Sequence, residues 1–138
     1  MALAGTPYLI DANVYIGLAN RADSLHSQAE TILHELTQQG STFILLDHVM
    51  QEILTVLLYS SQNVLAESFM NEVNADMNVV PIDTPIEWLR DAIDMAAERS
   101  FKPKMSAIDW LLLSRSKVTG TPILTFDKQL LTAHKNLS

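Results

Sequence analysis

Four short, unbroken apolar runs constrain this chain most: YLI at 8–10, FILL at 43–46, NVVPI at 78–82 and PILT at 122–125. None alternates apolar with polar residues. A strand that is apolar on both sides must be covered on both faces, which is the habit of parallel sheets. Longer stretches of helical periodicity separate the runs. Strands alternating with helices imply right-handed β–α–β crossovers and a mostly parallel sheet. The expectation is one three-layer α/β/α domain over residues 1–138, with four or five strands.

The helices between the strands are marked by their periodicity and ends. ANVYIGLAN (12–20) reads as a short helix after the first strand. SLHSQAETILHELTQQ (24–39) places Leu25, Ala29, Ile32, Leu33 and Leu36 on one face, with Gly40 at the expected glycine cap. DHVMQEILTVLLYS (47–60) is expected to be capped by Asp47, and NVLAESFMNEVNA (63–75) is a more polar helix. Thr84-Pro85-Ile86-Glu87 has the form of a capped helix start, with Thr84 as cap and the helix running to about Arg99. SAIDWLLLSRSKVT (106–119) ends at Gly120, and DKQLLTAH (127–134) closes the pattern. Pro81 removes a ladder donor and sends the third strand to an edge or ends it there.

Composition excludes some function classes. The chain has no cysteine, so disulfides and thiolate metal sites are ruled out. Its net charge of −7 argues against passive, nonspecific binding of nucleic acid, which needs a basic surface. It does not exclude a nucleic-acid enzyme whose acids hold cations. MALAGTPYLIDANVYI has no basic leader, and no apolar run reaches the roughly 20 residues of a membrane span. The expectation is a soluble, cytoplasmic protein with no membrane association.

In open α/β sheets, sites form beyond the carboxyl ends of the strands. Asp11 follows the first strand directly, and Asp127 follows PILT by one residue. Asp109 lies in the first turn of the helix before PILT, and Glu52 lies inside the helix after FILL. Each has a structural reading. Asp11 and Asp127 suit helix caps, and Ser106-x-x-Asp109 has the form of a capping box. Glu52 stands among Val49, Met50, Ile53, Leu54, Val56 and Leu57, so the alternatives are a satisfied carboxylate at the rim of the core or an exposed edge position. Asn13, two residues past Asp11, and Thr125, two before Asp127, are placed to hold a neighbouring carboxylate or to be ordinary turn and strand residues. Several carboxylates converging without cysteine or histidine would make an oxygen-only site suited to Mg²⁺ or Mn²⁺.

LIDANVYIGL, VMQEILTVL and SAIDWLLLSRSKVTGTPILTFD together resemble the PIN-domain family of metal-dependent ribonucleases, and within it the compact VapC-type toxins. The last segment is the most diagnostic: an acid on an apolar helix, a glycine, a strand, then T-x-D. By position, Asp11, Glu52, Asp109 and Asp127 resemble the family's acidic quartet, and Asn13 and Thr125 its accompanying polar positions. The resemblance implies strand order 3-2-1-4, often with a fifth strand. It also implies Mg²⁺ or Mn²⁺ held by the four acids, hydrolysis of RNA phosphodiester bonds, a homodimer and an antitoxin partner. The chain ends at HKNLS, soon after the last helix, so the fifth strand is expected to be short or missing.

Arg99, Lys102, Lys104, Arg115 and Lys117 are five of the nine basic residues and flank Asp109. Lys102 and Lys104 read as RNA-backbone contacts, whereas Arg115 and Lys117 read as cations at a helix C-terminus. The four histidines lack metal-ligand spacing, and Trp88 and Trp110 read as core or dimer-interface residues. Leu57, Leu58 and Tyr59, with NVLAESFM after them, offer apolar surface for a dimer or an antitoxin. Two other readings remain open. One is a phosphatase or phosphotransferase with Asp11 as nucleophile, which lacks a partner acid two residues on. The other is a catalytically silent PIN-like binding module whose acids are caps.

Overall fold

A computed structural model of the chain describes residues 5–99 and 104–137. Four strands and seven helices follow in the order β1 (Pro7–Ile10), α1 (Ala12–Ala19), α2 (His26–Gln38), β2 (Thr42–Leu46), α3 (Asp47–Tyr59), α4 (Asn63–Ala75), β3 (Val79–Ile82), α5 (Ile86–Glu98), α6 (Ala107–Thr119), β4 (Ile123–Leu124) and α7 (Lys128–Lys135). The described strands form one sheet in the order β3-β2-β1-β4, and every pairing is parallel. This is the expected order in its four-stranded form. β3 is an edge strand, as Pro81 requires, and Pro81 sits in register with Leu45 inside it.

Strand order explains the layers. The chain moves from β1 to β2 to β3 in one direction, then returns past β1 to β4. A right-handed crossover that reverses direction must place its helices on the opposite face. Thus α1 packs with α2 and α3, and α3 with α4, while α5 and α7 pack with α6. The reversal creates a switch point between β1 and β4, the place where open parallel sheets form crevices.

The core follows the apolar runs. Ile10, Leu45 and Leu46 of the sheet are fully buried, with Val14 of α1 above them. Val49, Ile53 and Leu57 form the inward stripe of α3 and are fully buried, each contributing roughly 1.5–3 kcal/mol of burial. In α6, Leu111, Leu112, Leu113, Ser114 and Ser116 are all buried, because α5 covers its outer side.

Helix ends follow the sequence in part. Gly40 adopts φ +78° after α2, and its N–H donates to the Thr37 carbonyl while that of Ser41 donates to the Leu36 carbonyl. This paired closure satisfies two end carbonyls and needs a left-handed residue, which glycine adopts without a Cβ penalty. Gly120 ends α6 with φ +74°. The start of α5 differs from expectation. Pro85 occupies its cap position without a side-chain cap, and the Thr84 hydroxyl instead donates to Asp47 Oδ1. Asp47 also accepts from the His48 N–H, so it joins α3 to the β3–α5 loop rather than capping α3 from outside. The competition was won by a charged acceptor, which binds a hydroxyl more strongly than a neutral backbone group does.

Candidate metal centre

Asp11 sits where β1 ends, at the switch point. Its N–H donates to the Leu124 carbonyl at 2.9 Å, which fixes the end of β1 against β4. The residue is only 5% exposed. Its Oδ1 accepts from the Ala12 N–H at 2.8 Å, and its Oδ2 accepts from the Thr125 hydroxyl at 2.7 Å. Asp11 therefore does cap α1, as its structural reading required, but its other oxygen is held by Thr125, just past the neighbouring strand β4.

Thr125 is the hub of the crevice and is equally buried at 5% exposure. Its Oγ1 accepts from the Asp127 N–H at 3.0 Å and from Asn13 Nδ2 at 3.2 Å while donating to Asp11. Asn13 completes the lattice: Nδ2 also reaches Asp11 Oδ2 at 3.4 Å, and Oδ1 accepts from the Phe126 N–H at 3.1 Å. That last bond joins residues 113 positions apart, so no local sequence signal announces it.

The other acids approach from helix ends. Asp127 caps α7 through Oδ1, which accepts from the Gln129 and Leu130 N–H groups. Asp109 forms both halves of the capping box with Ser106: Oδ2 accepts from the Ser106 N–H, and the Ser106 hydroxyl accepts from the Asp109 N–H. Both acids are half-buried. Glu52 is exposed, because it flanks the buried stripe of α3. The apolar neighbour Val56 is itself 39% exposed, so the exposed-edge reading of Glu52 is correct as to exposure.

Electrostatics nevertheless links the four. Burial raises the Asp11 carboxyl above the ordinary value; the bonds from Thr125 and Ala12 offset part of that, and the charges of Asp109 and Asp127 push it further up. Partial desolvation raises Glu52, and the charges of Asp11 and Asp109 add to it. Among the described residues the one side-chain ion pair is His26–Glu30, so no lysine or arginine neutralises this group.

The donor set fits a hard cation in type and in charge: carboxylate oxygens, a hydroxyl and an amide oxygen, with no sulfur or imidazole. It is not a preformed chelate. Among the described residues, no three acidic or histidine side chains are drawn close enough to hold an ion. Asp109 and Asp127 each direct one oxygen to a backbone cap. The structure thus couples the four acids without converging them.

Lys104 is exposed just before α6, and Lys102 lies outside the described residues. Arg115 does not act as a free helix-end cation: its guanidinium stacks on Trp88 at 3.7 Å, joining α6 to α5.

Comparison with known proteins gives the same architecture. The PIN-domain family model matches residues 8–135. No curated protein matches the chain. Among solved structures, the fold is similar to the crystal structure of VapC20 from Mycobacterium tuberculosis, described as a sarcin-ricin loop cleaving toxin. The TM-score is 0.78 at 15% identity, over 91% of this chain and 94% of that one.

Proposed function

The chain belongs to the PIN-domain family, and we propose that it is a Mg²⁺- or Mn²⁺-dependent endoribonuclease, the toxin of a VapC-type toxin–antitoxin pair acting in the cytoplasm as a single domain. One observation carries this reading. Asp11 is a nearly buried carboxylate at the β1/β4 switch point, with its carboxyl raised by burial and by two further acids. The likeness to VapC20, a toxin that cleaves the sarcin-ricin loop, supports RNA as the substrate class.

In this reading Asp11, Glu52, Asp109 and Asp127 would hold the ion. A divalent cation bound there would neutralise charge on the phosphodiester and acidify a water molecule. Asp11 is the fixed member, because Ala12 and Thr125 lock both of its oxygens. Thr125 and Asn13 are positioning residues that tie Asp11 to the Asp127 backbone. Glu52, with a carboxyl raised above the ordinary value, is suited to orient the attacking water and take its proton. Lys104 and Lys102 would hold the RNA backbone. Leu58, Tyr59 and Val64, exposed at 53%, 91% and 74%, support a face covered by a second copy or by an antitoxin.

A second reading, the silent binding module, is favoured by the helix caps that engage Asp109 and Asp127. Thermal melts with and without Mn²⁺ separate the two. A ligand that binds only the folded state at about 100 times its Kd stabilises by about 2.7 kcal/mol. The nuclease reading expects a Mn²⁺-dependent rise in Tm that Glu52→Gln reduces. Identical melts with Mn²⁺ and with chelator would favour the module.

A further inference from the structure

A second concavity opens beside the acids, at the outer side of β4. It has a volume of about 650 Å³ and lies between α2, the end of β4 and α7. Leu124, Thr125 and Phe126 line it from β4 and the segment beyond, facing Ile32 of α2 and Leu131 of α7. Gln28, Thr31 and Glu35 of α2 add polar groups. Their spacing of i, i+3 and i+7 puts them on one stripe of the helix.

The groove shares a wall with the acidic crevice. Thr125 lines it, and the Thr125 hydroxyl donates to Asp11 Oδ2 at 2.7 Å. Among the described residues the groove's lining has no lysine or arginine, so these walls are not built for phosphate. Apolar walls with polar groups along one side fit a flat, uncharged ring that carries hydrogen-bonding edges. Unstacked bases of single-stranded RNA are bound in this manner, by packing on their faces and hydrogen bonding at their edges.

We propose that this groove receives the nucleobase next to the scissile phosphate of single-stranded RNA, with Gln28, Thr31 and Glu35 selecting among bases. The inference rests on the ribonuclease reading for the position of the phosphate. A nucleotide whose phosphate meets the acids has its base one sugar away, and Thr125 is the partition between the two spaces. Glu35 is the one charged group among the described lining residues and accepts only, so it favours bases that present an exocyclic amine. Charge repulsion keeps a phosphate out of the same space.

The test is methyl NMR of the purified chain, titrated with each of the four homopolymeric RNA tetranucleotides, with Ca²⁺ as the neutralising cation. The expected result is movement of the Ile32, Leu124 and Leu131 methyl signals, larger for one or two bases than for the others. Ile32→Trp fills the groove and should abolish the movement of the Leu124 and Leu131 methyls. Gln28→Ala, on the exposed stripe, should keep the fold and reduce base discrimination by about tenfold. Methyls that stay still with all four RNAs, or that move equally in Ile32→Trp and wild type, overturn the proposal. Equal base discrimination by Gln28→Ala and wild type also overturns the selecting role of the α2 stripe. Binding is read here without cleavage, so the two readings fail separately. With cleavage read in a separate Mn²⁺ assay, cleavage with still methyls removes the groove alone, and moving methyls without cleavage in Mn²⁺ remove the nuclease alone.

Discussion

Replacing Thr125 with valine removes one hydroxyl and keeps the shape. That hydroxyl donates to Asp11 and accepts from the Asp127 N–H and Asn13 Nδ2, all at 3.2 Å or less. A hydrogen bond to a charged group is worth about 1.5–3 kcal/mol, and an orphaned buried donor adds to the loss. Asn13 already reaches Asp11 Oδ2 at 3.4 Å and can recover part of it. The expected destabilisation is about 2–4 kcal/mol at pH 7, with a fall in Tm of roughly 6–16 °C for a chain of this size. The pH dependence has a definite sign. Burial raises the Asp11 carboxyl, and the Thr125 bond counteracts that rise. Without the bond, the folded-state value climbs further. An acid whose folded value is raised opposes folding above its unfolded value, and that opposition disappears as pH falls and the group protonates in both states. The deficit of Thr125→Val is therefore larger at pH 7 than at pH 4. Urea melts of wild type, Thr125→Val and Thr125→Ser at both pH values measure it. Thr125→Ser keeps the hydroxyl and should lose about 1 kcal/mol or less for its methyl. Equal stability of valine and serine variants, or a deficit that grows toward low pH, would refute the hub role.

Three smaller perturbations test other parts of the frame. Gly120→Ala places a Cβ at φ +74° in open space, so its cost is conformational alone, about 1 kcal/mol by thermal melt. Thr84→Val breaks the bond to Asp47. Burial is the largest single influence on Asp47 and raises it, but the bonds from Thr84 and His48 together pull it below its ordinary value. A lowered acid stabilises the fold above its unfolded value and loses that contribution as pH falls through the folded value. The variant should therefore lose about 1 kcal/mol at pH 7 and approach wild type in acid. Arg115→Ala removes the stack on Trp88 and should cost about 0.5–1 kcal/mol, little changed by salt, by urea melt.

The architecture was legible because its strands are apolar without alternation and its helices carry end signals. Those facts demand a parallel sheet covered on both faces, and the order β3-β2-β1-β4 then brings Asp11 beside β4. Asn13 and Thr125 were legible as polar groups able to hold a carboxylate, and the structure shows both on Asp11. The bond from the Phe126 N–H to Asn13 was not, because it crosses 113 positions and depends on register. Glu52 shows a limit of reading periodicity. Apolar residues before and after it implied a rim position, but Val56 faces outward and Glu52 is exposed with it. Thr84 shows another. Its cap signature is local, and the stronger acceptor, Asp47, comes from 37 positions away.

The most direct test of the account is cleavage of a mixed panel of structured and single-stranded RNAs by the partner-free protein. Wild type and Asp109→Asn are compared with Mn²⁺ and with chelator. Asparagine keeps an acceptor for the Ser106 N–H, so the helix start survives while the charge is lost. The account predicts cleavage by wild type with Mn²⁺ only, and none by Asp109→Asn. Equal cleavage by both proteins, or cleavage that persists in chelator, would contradict an acidic metal site at the β1/β4 crevice.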